Sequence, residues 1–239
     1  AMMLEGLRAL QDDPDTEIIV LISKPPAQSA RDRVLEAASK SGKPCVIAFL
    51  GEQGRSSNSG NIHMENSLEG AALRVLNLLG RATPDWASID QMARQRIEAL
   101  AAGPDLERRR IRGLYSGGTL AYESLFILRD LGHQVRSDVE EVPAGGDSVI
   151  DMGRDRYTVG RPHPMIDFRA RCEALVQEAG DPEVGVVLLD VILGYGSHPD
   201  PASELVPALL EAQAVAKNRA QGLACVVSLC GSPDDPQGL

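Results

Sequence analysis

The run from Val184 to Leu193 is nearly unbroken aliphatic and lacks the polar alternation of a strand that faces water on one side. Such a run reads as a strand buried on both faces, the habit of central strands in parallel α/β sheets. It gives way to Gly194, Gly196, Ser197 and His198, and then to Asp200 and Pro201. Asp at a helix N-cap followed by Pro in the first turn predicts a helix opening there. The junction is therefore strand, glycine turn, helix. Free N–H groups and the positive end of the helix dipole would face whatever lies above the sheet edge, and an anion is the natural guest.

The same pattern recurs along the chain. Ile18 to Ile22 and Cys45 to Leu50 are apolar runs separated by a helical stretch from Ala27 to Ser41, the rhythm of a βαβ unit. After the polar stretch Gly51 to Gly60, a short extended piece leads to Ser67, which caps a helix running to about Leu79. Ile111 to Tyr115 opens a second series and meets Ser116-Gly117-Gly118-Thr119 ahead of a helix containing Leu120, Phe126, Leu128 and Leu131. A strand over Ser148 to Met152, a helix over Met165 to Ala179, a helix from Pro201 and a strand over Leu223 to Leu229 complete that series. The expected fold class is α/β: two flavodoxin-like domains, each a parallel sheet flanked by helices. They are expected over 1–80 and 111–239. The connector, 81–110, would carry a solvated helix over Ser88 to Ala102 and an Arg-rich patch. A weak internal repeat supports two units of one kind: helix, Asp12-Asp13-Pro14, strand in the first half, and helix, Gly180-Asp181-Pro182, strand in the second. The chain is expected to be cut at its front, because its first helix starts without a cap, and to stop before a further element at its end.

Aromatic residues are only 3% of the 239, so the cores must be built from Leu, Val, Ile and Ala. A formal charge of -10 argues against a nucleic-acid or anionic-membrane partner, which needs a clustered basic face. A small anionic ligand is expected instead. No apolar run is long enough to span a bilayer and no signal peptide is visible, so a cytoplasmic setting is expected. Cys45, Cys172, Cys225 and Cys230 are unpaired in spacing and read as free thiols, with no metal site expected.

Candidate binding residues are the two glycine turns: Ser116, Gly117, Gly118 and Thr119, and Gly194, Gly196, Ser197 and His198. Their backbone N–H groups and hydroxyls can donate to phosphate or carboxylate oxygens. Arg161 and His163 are the candidate catalytic pair. They alternate with Pro162 and Pro164 in a loop after a strand, a frame that holds a guanidinium and an imidazole still beside developing negative charge. His63 reads as a strand-edge residue and His133 as a neighbour of a helix C-cap.

The segment Leu4 to Ser23 resembles the ligase domain of the succinyl-CoA synthetase α subunit. Residues 111–210 resemble the β-subunit ligase domain, through Ser116 to Ala121, Ile150 to Gly153 and Gly180 to Gly194. Fusion of the two in one chain is similar to FdrA-type proteins, and Tyr157 to Asp167 is the most specific match. The resemblance implies two flavodoxin-like domains about a pseudo-twofold axis, with an anion site between helix ends. It also implies CoA binding through an N-terminal Rossmann domain that this stretch does not carry. The ligases pass phosphate through a histidine in a Gly-His-Ala-Gly loop, whereas Gly51 to Gly60 holds no histidine. The FdrA resemblance implies instead a subunit of a carbamoyl-transferring enzyme, using carbamoyl phosphate and oxamate in purine or allantoin catabolism. Partner subunits or a homo-oligomer would complete it. The alternatives are an acid-thiol ligase of the succinyl-CoA synthetase kind and a non-catalytic CoA-binding scaffold.

Overall fold

The structure is a computed structural model and describes residues 2–51, 57–101, 110–138, 146–218 and 222–238. Glu52 to Ser56 of the polar loop and most of the Arg-rich patch, 102–109, lie outside the described residues. Contacts divide the chain into two units, Ala1–Trp86 and Ala87–Leu239.

The first unit runs α1 (Met2–Asp12), β1 (Ile19–Ser23), α2 (Gln28–Ser39), β2 (Cys45–Phe49), β3 (Ser57–Ser59), β4 (Ile62–Glu65) and α3 (Leu68–Leu78). Its strand order is β1-β2-β4-β3. The first three strands are parallel, while β3 pairs antiparallel with β4 at the edge, an addition to the all-parallel sheet expected. Strand β2 is buried at every position, which explains its lack of alternation. Successive side chains point to opposite faces. Cys45, Ile47 and Phe49 therefore meet Leu7 of α1 and Val34 and Ala38 of α2, while Val46 and Ala48 meet Ala71 of α3. Ser67 caps α3 as expected, its hydroxyl accepting the Gly70 N–H at 3.0 Å.

Helix α4 (Trp86–Ala101) begins at the division between the units, and its side chains from 87 to 98 are exposed. The second unit continues with β5 (Arg110–Tyr115), α5 (Gly118–Asp130), β6 (Val135–Ser137), β7 (Asp147–Asp151), α6 (Asp155–Thr158), α7 (Arg169–Ala179), β8 (Val184–Ile192), α8 (Pro201–Asn218) and β9 (Ala224–Cys230). All five strands are parallel in the order β6-β7-β5-β8-β9. The short β6 sits outside β7 rather than beside β5, a variant of the flavodoxin order. Helices cover both faces: Leu175 and Ala179 of α7 and Leu205, Ala208 and Ala212 of α8 pack on Val187, Leu189 and Val191. On the other face, Ala121, Leu125 and Leu128 of α5 pack on Tyr115 and Val149.

Helix α7 starts four residues later than the apolar spacing predicts. The N–H groups of Ile166 and Asp167 both donate to the His163 carbonyl, at 2.8 and 3.0 Å, and close a turn there instead. The Asp167 carboxylate then accepts the Arg169 N–H at 3.0 Å, so the helix opens behind it.

Candidate functional site

In a parallel sheet the carboxyl ends of the strands and the turns that follow them form the natural ligand edge. In the second unit this edge carries every candidate residue, and the two glycine turns on it prove unequal.

Strand β5 ends at Tyr115, and Ser116 behind it is 1% exposed. Leu114 pairs with Leu189 of β8, which brings Asp190 alongside. The Ser116 N–H donates to one oxygen of the Asp190 carboxylate at 2.6 Å and its hydroxyl donates to the other at 2.6 Å. Arg171 of α7 donates to the same carboxylate at 2.9 Å and also to the Asp190 carbonyl. This ion pair is wholly buried, with side chains 0% and 1% exposed. Burial pushes the Arg171 guanidinium below its ordinary value, and the Asp190 charge opposes that shift. Two of its nitrogens, Nε and Nη1, have no partner among the described residues. Its guanidinium carbon stands 5.1 Å from the centre of the Phe168 ring.

Both donors of Ser116 are therefore held inside the protein, so its hydroxyl is not offered to a ligand as the sequence suggested. Its role is to fix the turn. The donors left open come next: Gly117 is extended and no side chain caps α5. Among the described residues, the N–H groups of Gly118, Thr119 and Leu120 and the Thr119 hydroxyl have no partner. An uncapped first turn with its dipole end at the sheet edge suits an anion.

The β8–α8 turn, which the sequence marks most strongly, is self-satisfied. Gly194 and Gly196 take positive φ of 123° and 83°, the left-handed region that glycine enters without strain. The Gly194 N–H donates to the Gln237 side chain at 2.9 Å, and the Gln237 amide returns bonds to the carbonyls of Gly194 and His198 at 3.0 and 3.1 Å. The Ser197 N–H donates to the Gly194 carbonyl at 3.3 Å and the His198 N–H to the Met165 carbonyl at 2.8 Å. Asp200 caps α8 by accepting the Ser203 N–H at 3.1 Å, so a carboxylate already occupies that helix end. The His198 ring stands edge-on to Phe168 with centres 5.7 Å apart, and its Nδ1 accepts the Asp200 N–H at 3.1 Å.

His163 and Arg161 face different surroundings. The His163 Nδ1 accepts the Met165 N–H at 3.3 Å, which assigns the neutral ring's proton to Nε2. That Nε2 crowds Gly153: a β-carbon there would stand 2.7 Å from it and 2.6 Å from the Ser116 carbonyl oxygen. His163 thus borders the β5–α5 turn. Arg161 lines a cleft of about 280 Å³ between the loop and α7, whose apolar wall includes Met152, Tyr157 and Pro164. Asp167, Arg169 and Glu173 supply the other charges of that cleft.

The Asp167 carboxylate takes two bonds from Arg169, to Nε at 3.0 Å and Nη2 at 2.5 Å. Those hydrogen bonds hold its carboxyl at about 2, below the ordinary 3.8. A carboxyl lowered on folding stabilises fully above its unfolded value and loses that contribution as the pH falls through the folded one. We expect a carbon NMR titration of Asp167 to show it ionised at pH 3; a midpoint at an unperturbed value would refute the pairing.

The remaining histidines lie on other elements. His63 lies on β4 in the first unit with its Nδ1 3.0 Å from the Asn58 side chain, and His133 bonds Asp147 at 2.8 Å. The cysteines are free thiols, and burial pushes Cys225 up to about 11. Among the described residues no three His, Cys, Asp or Glu side chains converge as a metal site, and no helix is long and apolar enough to cross a membrane.

Sequence reasoning missed Asp190, Arg171, Gly153 and Gln237. Two had a readable signal. Asp190 is the one acid inside an aliphatic strand, and Arg171 falls on the i, i+4, i+8 stripe with Leu175 and Ala179 that α7 buries. A charge on each of two buried faces asks for a partner.

Residues 114–239 match the family described as CoA-ligase. The whole chain is 33% identical over 247 residues to the uncharacterized protein YahF of Escherichia coli strain K12, of which it spans 48%. Among solved structures it is similar to the dinucleotide forming acetyl-coenzyme A synthetase 1 of Ca. Korarchaeum cryptofilum in complex with phosphate and ADP. That match has a TM-score of 0.38 at 17% identity, covering 97% of this chain and 49% of that one. The apo form of the same synthetase gives a TM-score of 0.38 at 18% identity, again over 97% and 49% of the two chains.

Proposed function

The chain belongs to the CoA-ligase family, and on that premise we propose that its second unit binds the phosphate end of a small acyl phosphate at the first turn of α5. One observation carries this reading: the N–H groups of Gly118, Thr119 and Leu120 stand open at an uncapped helix end, while the equivalent end of α8 is capped by Asp200. Asp190 and Arg171 hold the Ser116 turn from below. His163, its Nε2–H beside that turn, donates to the acyl carbonyl oxygen as negative charge develops there. Gly194, Gly196, Ser197 and His198 form the neighbouring wall and keep it rigid through Gln237 and Met165.

The FdrA resemblance names the acyl phosphate as carbamoyl phosphate. A nitrogen of an acceptor such as oxamate attacks the carbamoyl carbon. The new C–N bond replaces the C–O bond to phosphate, and inorganic phosphate leaves with the proton. Arg161, in the adjoining cleft, holds the acceptor's carboxylate. Partner subunits supply what this chain lacks. Family membership also favours a second reading, in which a CoA thiol attacks an acyl phosphate, a C–S bond replaces the same C–O bond, and the thiol proton goes to phosphate.

Calorimetric titration with inorganic phosphate and carbamoyl phosphate tests the site. In Gly117→Asp the new carboxylate caps α5 and competes for the same amides. Gly117 is extended and a β-carbon there meets nothing within 4 Å. We expect at least a tenfold loss of anion affinity while stability stays level or rises by a few tenths of a kcal/mol. Unchanged affinity in this variant would place the anion elsewhere. Acyl transfer to CoA but not to a nitrogen acceptor would favour the thiol reading.

A further inference from the structure

The charges around the cleft beside α7 do not cancel in place. Asp167 and Arg169 satisfy one another through paired hydrogen bonds. The Arg161 guanidinium and the Glu173 carboxylate have no hydrogen bond or ion pair with any described residue, although both line the same cleft. Arg169 is within electrostatic reach of Glu173 but is already held by Asp167. One open cation and one open anion therefore share a space of about 280 Å³, whose apolar lining includes Met152 and Tyr157.

We propose that this cleft binds a small zwitterion, an amino carboxylate whose carboxylate lies on Arg161 and whose ammonium lies on Glu173. A planar guanidinium fork matches a carboxylate in two parallel bonds. A lone carboxylate wall favours a cationic nitrogen and disfavours a second negative group. A ligand with one charge only, such as oxamate, would leave Glu173 facing it unpaired, so this cleft favours an amino carboxylate over oxamate as the acceptor. As an assignment of the acceptor, this rests on the reading that the cleft serves the transfer reaction at the α5 turn, since an amino carboxylate brings its own nitrogen nucleophile once deprotonated.

The test is titration of the whole chain at neutral pH, by calorimetry or saturation-transfer NMR, with glycine and β-alanine against acetate and methylammonium. One amino acid is expected to bind at least tenfold tighter than either half-ligand. Arg161→Gln and Glu173→Gln, both at exposed positions, should each weaken it at least tenfold with an unchanged circular dichroism spectrum. Acetate binding as tightly as the amino acids, or Glu173→Gln without effect, overturns the proposal. Inorganic phosphate titrated into the same samples separates the two ideas. Phosphate bound without amino acid sinks the cleft proposal alone; amino acid bound without phosphate supports the dipolar cleft and sinks the α5 reading; neither bound overturns both.

Discussion

Asp190→Leu is expected to destabilise the second unit by about 3–5 kcal/mol, the usual cost of removing one partner from a buried ion pair. In a unit of this size that lowers its melting temperature by roughly 10 °C. The reason lies in what remains. Arg171 is fully buried and two of its nitrogens already lack partners; without the Asp190 side chain its Nη2 keeps only the main-chain carbonyl of position 190, and the charge loses its counter-ion. The Ser116 N–H and hydroxyl are stranded as well. Asp190→Asn keeps the shape but not the charge, and should fall between the parent and the leucine variant. The double replacement Arg171→Met with Asp190→Leu removes the orphaned cation and should regain part of the loss, because apolar residues of similar volume replace buried pairs at little cost. Recovery stays partial since the Ser116 amide still lacks its acceptor. Scanning calorimetry of these four proteins and of Arg171→Met alone decides it. Additive single effects with no recovery in the double variant would mean that the pair is not the stabilising unit described here.

That pair also shows where the sequence stops being legible. Strand β8 was readable because a strand buried on both faces cannot carry polar alternation, and the structure buries or half-buries all its positions. The βαβ rhythm was readable for the same reason in β2, buried at every position, whereas β5 carries Arg110 and Arg112 and was marked by the glycine turn behind it. The β8–α8 turn drew the strongest expectation of anion binding from its glycines and Asp200. Whether such a turn has open amides depends on residues far along the chain. Gln237 folds back from 43 positions away to take the Gly194 amide, and nothing local to Gly194 announces it. The α5 turn has weaker sequence marks but open donors, because Gly117 offers no capping side chain. Arg161 and His163, two residues apart, were expected to act as a pair. The proline-framed loop turns one to the cleft and the other to Gly153, and sequence spacing fixes side-chain direction only inside regular elements.

Gly153→Ala is expected to be the most damaging single-methyl change at the candidate site. The added β-carbon would stand 2.6 Å from the Ser116 carbonyl oxygen and 2.7 Å from His163 Nε2, far inside van der Waals contact. A flexible side-chain tip could give way, but the oxygen belongs to backbone held on both sides. Ser116 is fixed to Asp190 through its own N–H and hydroxyl, and the Tyr115 carbonyl before it accepts the Met152 N–H at 2.9 Å. Something must shift, and the shift moves either the α5 turn or the His163 ring. The expected cost is about 1–3 kcal/mol, as for other overpacked positions, together with a loss of phosphate affinity at least as large as that of Gly117→Asp. Gly117→Ala is the matched control. It adds the same methyl on the same turn where nothing lies within 4 Å, and it should leave both melting and binding nearly unchanged. If Gly153→Ala melted and bound phosphate like the parent, the close approach of β7, the Ser116 turn and His163 would be wrong, and with it the placement of His163 beside the anion.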